Sequence, residues 1–473
     1  MMRRAATALL LLLLAACTSG DAVRSEPRRT SSAPTGPAPT TTTTALAKAT
    51  TAACPVIPNR VAPDPARPKY TLRADVRPAE GTVDGQLRVI FTPDIDTDRL
   101  VFRLWPNGPR SAPAEAKLET GQVTIAGRPV TSDLDDPTTL VVRSDDGFRA
   151  GRAVDVSMSW RLHVPGAAND RISRNGDAMR LGSFFPILPW EPGVGWATDA
   201  PVGGFAEAST APTADFDLTV VIPEGFSVLA SGTPDPVRPG HFTASAMRDV
   251  AMSVGRFDTV SAVAMAPQAV QVTVGLHRGT VDSGGTSPYL DRVVASLEDF
   301  GRRFGAYPWP TFTFAITPEL GGGIEYPGHV MQGPNTLGVT SHEVGHQWFY
   351  GLVGNDQGRD PWLDEGLASW AEARFENRLE RFKARDIPPL AKNKVGEPMT
   401  FWADKRQNYS DGVYVQGAQA LAALGEPDLV DCALRVFVAV NAHRIARQSD
   451  LVAAAAAVFP NAAATLTAYG VKP

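Results

Sequence analysis

The chain has 473 residues, of which 43% are hydrophobic and 20% are charged, and its formal net charge is −5 at neutral pH. This length is enough for two domains with cores of their own, and the mild acidity argues against a nucleic-acid-binding protein. If the first 16 residues are removed, Arg3 and Arg4 leave with them and the charge becomes −7.

The chain begins with a signal-like segment. Arg3 and Arg4 precede an apolar run over residues 5–16, which is too short for a membrane-spanning helix of roughly 20 residues. A basic start and a short apolar run are typical of a secretory signal over residues 1–16. Leu-Ala-Ala before Cys17 resembles a bacterial lipobox, which would place a lipid on Cys17 and make it the mature N-terminus. The alternative is an ordinary signal peptide cut near Ala16.

We therefore expect an exported protein that is lipid-anchored to the outer face of the bacterial cell membrane, or else secreted. The Arg3-Arg4 pair is compatible with both Sec and twin-arginine export. Residues 17–53 are rich in Ser, Thr, Pro and Ala and contain no aromatic side chain. Such a segment cannot bury enough surface to offset the entropy of ordering, so we predict a disordered tether.

Cys54 and Cys432 remain as an even pair if Cys17 carries a lipid. Disulfides persist in exported proteins. The two residues either form a disulfide that ties the start of the folded region to the C-terminal helices or remain two separate buried thiols.

Between residues 54 and 262 the sequence has the signals of β-strands. Apolar residues alternate or run together over residues 83–91, 99–107, 154–165 and 215–223. Turn residues separate these runs, as expected for strands joined by tight connections. We predict a large antiparallel β domain over residues 54–262.

The second half, residues 263–473, has a helical pattern. Residues 288–305 begin with Pro, end with Gly and carry apolar side chains at spacings of three and four, which predicts a helix. Residues 311–316 read as one more strand, and alanine-rich helices follow from about residue 412. The fold class predicted is therefore α+β with two domains, the second dominated by helices.

The stretch HEVGHQWF, residues 342–349, has the spacing of a metal site. On a helix, His342 and His346 lie on one face, and Glu343 projects to the side. A catalytic zinc keeps three protein ligands and one open position. Glu365 supplies a third ligand, with eighteen residues between it and His346. An ordinary helix with surface histidines is the alternative, but the chain has only seven histidines.

These motifs resemble a known family. The stretch HEVGHQWFYGLV…DPWLDEGLASW is similar to the gluzincin zinc metallopeptidases related to aminopeptidase N and leukotriene hydrolase. GGGIEYPGHV resembles that family's G-x-M-E-N exopeptidase motif, and YSDGVYVQGAQAL resembles the segment with its catalytic tyrosine, usually Y-x-K-G-A. The resemblance is to a short bacterial secreted or lipoprotein member. It implies a saddle-like β-sandwich domain followed by a thermolysin-like catalytic domain.

The resemblance implies roles for individual residues. It makes His342, His346 and Glu365 the ligands of one Zn²⁺ per chain. Glu343 becomes the general base, and Tyr414 becomes the donor to the oxyanion of the tetrahedral intermediate.

The resemblance implies three further roles, two of them around the substrate. Glu325 would bind the free α-ammonium of a peptide, and Gly322 and Gly323 would let the backbone approach that peptide closely. Glu372 would hold a ligand histidine from behind, or else be a solvated helix charge. Tyr326 stands where the family motif has Asn, and this departure affects specificity.

Three other positions complete this set. Ile324 replaces the usual Met of the exopeptidase motif, and Gln416 stands where Lys is common. His329 is an extra titratable residue, read as a packed or surface histidine rather than a participant in the reaction.

The function predicted is that of a zinc aminopeptidase acting on peptides with a free N-terminus, with no nucleic-acid partner. A zinc endopeptidase of similar fold is one alternative, in which Glu325 is structural. A non-catalytic cell-surface binding protein on the same scaffold is the other. The oligomeric state is left open.

Overall fold

A computed structural model describes residues 46–166, 168–203 and 210–473. The predicted signal segment, the proposed lipidation site Cys17 and the first part of the predicted tether lie outside the described residues. In the part of the chain that is described, no helix is both long and apolar enough to cross a membrane.

The first half of the described chain is built from strands. In chain order they are β1 Lys69–Arg77, β2 Thr82–Phe91, β3 Thr97–Arg103, β4 Lys117–Thr120, β5 Thr124–Ile125, β6 Arg128–Pro129, β7 Asp133–Asp136, β8 Thr139–Phe148, β9 Val154–His163, β10 Ile172–Asn175, β11 Ala178–Leu181, β12 Trp190–Glu191, β13 Gly195–Trp196, β14 Ala214–Val221, β15 Ser227–Ala230, β16 Thr233–Pro234, β17 His241–Met247 and β18 Met252–Gly255. Short 3₁₀ turns cover Trp105–Asn107 and Ala112–Ala114.

The largest sheet of this half has nine strands in the order β16-β17-β14-β1-β2-β9-β5-β6, with β4 also paired to β9. Strand β1 buries every second side chain, including Tyr70 and Leu72, because successive side chains of a strand point to opposite faces. Each such burial contributes about 1.5–3 kcal/mol. The predicted antiparallel β domain is confirmed, but β1 and β14 pair in parallel, which apolar patterning alone does not indicate.

The second half combines a sheet with helices. Its strands are β19 Phe257–Met265, β20 Ala269–His277, β21 Thr311–Ile316, β22 Gly323–Ile324, β23 His329–Gln332, β24 Gly354–Asn355 and β25 Ile445–Ala446. Its helices are α1 Ser287–Phe304, α2 Thr340–Gly345, α3 Trp362–Phe375, α4 Leu379–Lys383, α5 Met399–Trp402, α6 Arg406–Tyr409, α7 Gln416–Ala422, α8 Pro427–Asn441, α9 Gln448–Ala456 and α10 Ala462–Ala468. A 3₁₀ turn covers Leu337–Val339, and a π-helical segment covers Ser410–Val415.

Five strands of this half form one sheet in the order β19-β20-β21-β23-β22. The predicted domain boundary at residue 262 falls inside β19, whose sheet partner β20 belongs to the second half. Helix α1 packs against the sheet through buried side chains at spacings of three and four, among them Tyr289, Val293 and Phe300. The short strand β22 is an edge of this sheet, and the site described below lies beside it.

The start of the described chain lies against the C-terminal helices. The backbone N–H groups of Ala49 and Ala53 donate to Ala456 O and Val458 O at 2.9 and 3.2 Å. Within the predicted tether, the backbones of Ala49 and Ala53 therefore have hydrogen-bond partners on the folded part. Cys54 and Cys432 are joined by a disulfide, with their Cα atoms 5.9 Å apart, which decides between the two alternatives for this pair.

Candidate active site

Helix α2 carries two histidines whose rings converge. The N–H of His346 donates to His342 O at 3.3 Å, so the helical turn continues through the second histidine. Their Nε2 atoms lie 3.1 Å apart, and both side chains are buried. The H-E-x-x-H spacing therefore places two ring nitrogens at one point, as residues one turn apart on a helix allow.

Glu365, in the first turn of α3, brings a carboxylate to the same point. Its Oε2 lies 3.0 Å from Nε2 of His342 and 3.3 Å from Nε2 of His346. Two ligands of a tetrahedral zinc lie about 3.3 Å apart when the bonds are about 2.0–2.1 Å long. The three atoms therefore form a triangle of the size of one face of a zinc tetrahedron, and the residues present fit a zinc ion.

The charges of these three residues are strongly interdependent. Burial opposes protonation of His342, but its hydrogen bonds with Glu365 and Glu372 and the charges of Glu365 and Glu343 raise its pKa well above the ordinary value. Burial likewise opposes ionisation of Glu365, yet His346 and His342 hold the pKa of its carboxyl below the usual range. The carboxylate of Glu365 is thus kept ionised although it is buried. An ionised carboxylate beside two imidazole nitrogens favours a cation bound between the three groups.

Each histidine is held from behind through its second ring nitrogen. Nδ1 of His342 lies 3.4 Å from Oε2 of Glu372, and Nδ1 of His346 lies 3.2 Å from the carbonyl oxygen of Phe349. Such contacts fix the ring orientation and the tautomer that leaves Nε2 free for a metal. Glu372 thus lies where it can hold a ligand histidine, although Arg378 also approaches it at 3.5 Å.

Glu343 and Glu325 are buried beside His346. Together with His346 they offer ligand atoms that are all within 4.8 Å of one another. Burial is the main reason that the pKa of Glu343 is raised, and the charge of Glu325 adds to this effect. A Cβ added to Gly323 would lie 2.3 Å from Cδ of Glu343. Position 323 therefore has room for glycine only.

Tyr414 reaches the cluster from the π-helical segment. Its ring stacks on that of His342, with centroids 5.5 Å apart and an interplanar angle of 12°. Tyr409 packs edge-on against Tyr414 at 5.6 Å, and Trp402 packs against Tyr409 at 5.9 Å. Single π-helical turns are rare in proteins, but those that occur are often found at functional sites. Here the wide turn lies in the segment that carries Tyr414.

Residues 294–416, which include every ligand of this cluster, match the Peptidase family M1 domain. The chain is similar to peptidase family M1 over this segment. It is 28% identical over 166 residues to endoplasmic reticulum aminopeptidase 1 of Mus musculus, and this match covers 28% of the chain and 18% of that protein. It is also 28% identical over 189 residues to aminopeptidase N of Rattus norvegicus, which covers 34% of this chain and 19% of that protein. The chain thus matches about a fifth of the length of these relatives.

Solved M1 structures share the fold over most of the chain. A mutant M1 zinc metallopeptidase from Deinococcus radiodurans, bound to a Tyr-Ser-Ala substrate, superposes with a TM-score of 0.64 at 20% identity, covering 86% of this chain and 95% of that one. A two-domain M1 zinc metallopeptidase mutant bound to L-arginine gives a TM-score of 0.63 at 19% identity, covering 86% and 96%. The predicted succession of a β domain and a helix-rich domain is confirmed by this match.

Tyr326, the main departure in the M1 exopeptidase motif, points into the first half of the chain. Its hydroxyl lies 2.8 Å from Oγ of Ser183 and accepts a hydrogen bond from Nη1 of Arg171 at 3.2 Å. A Cβ added to Gly182 would lie 2.4 Å from the tyrosine ring. Tyr326 therefore attaches the segment that carries Glu325 to the β-rich half.

Gln347 was not predicted to have a role, although it lies inside the HQWF motif. Its Oε1 accepts the N–H of Gly328 at 2.8 Å, and its Nε2 donates to Tyr326 O at 3.2 Å. It thus connects the helix that carries the histidines to the segment that carries Glu325. Its position next to His346 was the one available signal.

Tyr350 is a second residue that the sequence did not single out. It is not glycine, yet its φ is 118°, a conformation that costs about 1–3 kcal/mol and persists only where the surroundings enforce it. Its carbonyl oxygen accepts Nε of the buried Arg248 at 2.6 Å. Burial raises the pKa of Tyr350, with smaller contributions from Asp249, Tyr326 and Glu325. Its side chain therefore lies in the same buried polar region as Glu325.

A glycine contact sets the distance between the third ligand and Tyr414. A Cβ on Gly417, at the start of α7, would lie 2.8 Å from Cα of Gly366 on α3. The two helices touch through their backbones at this point. Glu365 directly precedes Gly366, and Tyr414 lies about one helical turn before Gly417.

The remaining predicted positions lie outside the cluster. His329 is fully buried, 3.0 Å from Oγ of Ser253 and 2.7 Å from Oγ1 of Thr313, and burial lowers its pKa to about 3. It is a packed, neutral histidine. Gln416 accepts the N–H of Asn393 and donates to Ala391 O at 2.7 Å in each case, so it fastens the loop before α5 rather than the metal cluster.

Proposed function

We propose that the protein is a zinc-dependent aminopeptidase that hydrolyses the N-terminal peptide bond of peptides. The observation that carries this proposal is the buried carboxylate of Glu325, placed beside Glu343 and His346 with ligand atoms within 4.8 Å. A carboxylate at this position can bind the free α-ammonium of a peptide whose first peptide bond lies at the metal site. Binding of the α-ammonium there restricts cleavage to the first peptide bond. The aminopeptidases that this chain resembles support the same assignment.

His342, His346 and Glu365 would hold one zinc ion per chain. When bound, zinc polarises the substrate carbonyl and lowers the pKa of a water to about 7. The contacts of Glu372 and the Phe349 carbonyl with the two Nδ1 atoms keep both histidines in the orientation that such a site needs.

Glu343 acts as the general base. Its exposed fraction is only 5%, and this burial raises the pKa of its carboxyl. It can therefore take a proton from the attacking water at its carboxylate and deliver that proton to the leaving amine. General acid–base catalysis of this kind contributes about 10²–10⁴-fold to the rate.

Tyr414 donates its phenolic O–H to the oxyanion of the tetrahedral intermediate. Its stacking on His342 and its packing against Tyr409 fix the ring beside the cluster before substrate arrives. A preorganised donor of this kind contributes roughly 3–4 kcal/mol to transition-state stabilisation. Tyr414→Phe is expected to lower kcat correspondingly.

The edge strand β22 receives the substrate backbone. It carries Gly323 and follows Gly322, which has a φ of 149° and nothing within 4 Å of an added Cβ. An extended peptide can pair with such an edge through main-chain hydrogen bonds. The absence of side chains at the two glycines leaves room for that approach.

We also propose that the protein is exported and is anchored to the outer face of the cell membrane through a lipid on Cys17, with free secretion as the alternative. The signal-like residues 1–16 and the Ser/Thr/Pro-rich segment that follows support this proposal. A disulfide between Cys54 and Cys432 is of the kind found in exported proteins. Metabolic labelling with a fatty acid in wild-type and Cys17→Ala protein tests it, and label that persists in the variant contradicts it.

A substrate panel tests the aminopeptidase proposal. Aminoacyl amides and peptides with a free N-terminus should be cleaved, N-acetylated versions should be cleaved far more slowly, and a chelator should abolish both rates. Glu325→Ala should reduce kcat/KM for free N-termini and leave blocked peptides unchanged. Glu319→Ala, at an exposed glutamate shortly before the same segment, is the matched control. Equal cleavage of blocked and free peptides would contradict the proposal and favour an endopeptidase.

A further inference from the structure

Gln416 uses both polar atoms of its side chain although it is almost fully buried. Its exposed fraction is 2%. Its Oε1 accepts the N–H of Asn393, and its Nε2 donates to Ala391 O, both at 2.7 Å. The same Nε2 also donates to Gly412 O at 3.3 Å. Replacement of this buried amide is costly, because it leaves several buried backbone groups without a partner.

An amide meets two demands at once at this position. Lysine, which is common here in the motif that the segment resembles, carries three donors and no acceptor. A lysine could donate to the carbonyl oxygens of Ala391 and Gly412, but it would leave the N–H of Asn393 without an acceptor. The glutamine therefore suits the particular loop that faces it in this chain.

The contact with Gly412 holds a widened helical turn. Ser410–Val415 is π-helical, and the backbone N–H of Gln416 donates to Asp411 O, five residues back, and to Val413 O. In an α-helix that N–H would donate to the carbonyl oxygen four residues back. Here the side-chain amide of Gln416 donates to that carbonyl oxygen instead. The residue thus holds the wide turn through its backbone and its side chain together.

Trp402 holds the same turn through packing. A Cβ added to Gly412 would lie 2.2 Å from Cη2 of Trp402, so the ring lies directly against the backbone of the turn. Nε1 of Trp402 donates to Glu397 O at 3.1 Å. The position of Gly412 is therefore fixed by an aromatic ring as well as by the amide.

The loop that contains the other two partners of the amide is itself anchored. This loop, residues 384–398, lies between α4 and α5. The N–H of Val395 donates to Tyr469 O at 3.2 Å, which attaches the loop to the residues that follow α10. Nε of Arg385 donates to Oδ1 of Asp411, in the π-helical segment, at 2.8 Å. Loop 384–398 is thus a fixed support for the π-helical segment.

Tyr414 lies between Gly412 and Gln416, the two residues that the amide contact joins. We propose that Gln416 is a positioning residue for Tyr414: its side-chain amide connects the π-helical turn to loop 384–398 and thereby sets the place from which the phenol donates to the oxyanion. This inference rests on the proposed function, because it takes the role of Tyr414 from there.

The proposal predicts an effect on the chemical step. A donor stabilises the transition state only if it lies at hydrogen-bond distance from the oxyanion that develops. A turn that is no longer held by Gln416 moves Tyr414 away from that distance. The loss should therefore appear in kcat, whereas KM and the zinc ligands, which lie on α2 and α3, are spared.

A double-mutant cycle with Tyr414→Phe tests this proposal. Gln416→Met keeps the approximate size of the side chain and removes its hydrogen bonds. Alone, it should lower kcat for aminoacyl amides roughly tenfold, since a misplacement of about 1 Å can cost on the order of 100-fold. KM and bound zinc per chain should stay at the wild-type values. In the Tyr414→Phe background it should lower kcat by less than about twofold, because the group that it positions is absent.

Gln419→Met is the matched control. Gln419 also lies in α7, and its Nε2 donates to Phe382 O at 2.9 Å and to Arg385 O at 2.8 Å, both outside the π-helical segment. This variant should lose as much thermal stability as Gln416→Met and keep the wild-type kcat. If Gln416→Met does not fold, Gln416→Glu takes its place in the cycle, because it keeps the shape of the side chain and the acceptor for Asn393.

The outcomes separate this inference from the proposed function. An equal fractional loss of kcat with and without the Tyr414 hydroxyl overturns the inference, since a purely structural role acts alike in both backgrounds. An equal loss of kcat in Gln419→Met overturns it as well. If Tyr414→Phe is impaired and Gln416→Met is not, this inference alone fails. If Tyr414→Phe keeps the wild-type kcat, the proposed role of Tyr414 fails instead.

Discussion

Two regions of the site are positioned in different ways. Helix α2 places its two histidines through contacts among a few consecutive residues. Segment 321–328, which carries Glu325, is held by residues that are distant in sequence. His342 and His346 meet because they lie one helical turn apart. Glu325 depends on Tyr326, whose hydroxyl contacts Ser183 and Arg171, and on Gln347, which bonds two backbone groups of the segment. The metal cluster is thus locally determined, and the substrate side is determined by tertiary contacts.

The difference separates two kinds of failure. A substitution that displaces the backbone of α2 should affect metal binding and chemistry together, because two of the three ligands and the base lie on that helix, whereas removal of the base alone should spare the metal. Damage to segment 321–328 should leave zinc in place and weaken recognition of the substrate. Four substitutions test this division, from the largest expected effect to the smallest.

Glu343→Gln should give the largest effect. It removes the base but not a ligand, so zinc content and fold should be kept while kcat falls by about 10²–10⁴-fold. Steady-state kinetics and zinc content measured on the same sample check this. Near-wild-type turnover in the variant would exclude the proposed mechanism, and loss of zinc would show that the base and the metal site are not separable.

Gly323→Ala, in segment 321–328, should lower kcat because its side chain displaces Glu343 on α2. Its new Cβ would lie 2.3 Å from Cδ of Glu343, so the base has to move, and a misplacement of about 1 Å can cost on the order of 100-fold in rate. Zinc content should be unchanged. Gly338→Ala, where an added Cβ meets nothing within 4 Å, is the control and should keep full activity.

Tyr326→Phe should have a smaller effect confined to the substrate side. It removes the hydroxyl that contacts Ser183 and Arg171, and the loss of such hydrogen bonds costs about 1–2 kcal/mol, which corresponds to roughly a tenfold lower kcat/KM. Zinc content should stay at the wild-type value. Tyr289→Phe is the comparison, because the hydroxyl of Tyr289 donates to Asp282 at 2.8 Å and takes no part in the cluster. An equal loss of kcat/KM in Tyr289→Phe would argue against a positioning role for Tyr326.

His329→Gln should have no effect on activity at neutral pH but should change the pH dependence of stability. His329 leads into β23 directly after the segment, and its folded-state pKa is lowered to about 3 by burial. Its contribution to stability is therefore present above its unfolded pKa of about 6.5 and is lost as the pH falls towards 3. Linkage gives a loss of about 3 kcal/mol between pH 7.5 and 4.5.

Urea unfolding at these two pH values measures that loss. The difference in free energy of unfolding should be about 3 kcal/mol larger for the wild type than for His329→Gln. The exposed His163 provides the control, and His163→Gln should follow the wild-type curve. An unchanged pH dependence in His329→Gln would mean that another group is responsible.

The sequence predicted the locally determined features well. Residues 288–305 and 311–316 were predicted as a helix and a strand, and the structure has them at Ser287–Phe304 and Thr311–Ile316. The ligand spacing on α2 and the position of Glu365 at the start of α3 follow from the same short-range periodicity.

Features that depend on distant partners were not predicted. The parallel pairing of β1 with β14 joins strands more than a hundred residues apart, and the partners of Tyr326 lie in another half of the chain. The contact between Gly366 and Gly417 is equally invisible, since neither glycine indicates which helix will approach it. Residues 46–53 have a composition typical of disorder, but the N–H groups of Ala49 and Ala53 donate to carbonyl oxygens at and just after the end of α9.

If the protein is anchored as proposed, the disulfide between Cys54 and Cys432 has a mechanical consequence. The two cysteines are separated by 378 positions in sequence, and Cys432 lies in α8 of the catalytic half. Tension applied through the N-terminal segment passes at Cys54 into helix α8 through one covalent bond. The strands of the β-rich half and the histidine cluster lie between the two cysteines in sequence, so the disulfide gives such tension a covalent route to α8 that bypasses them.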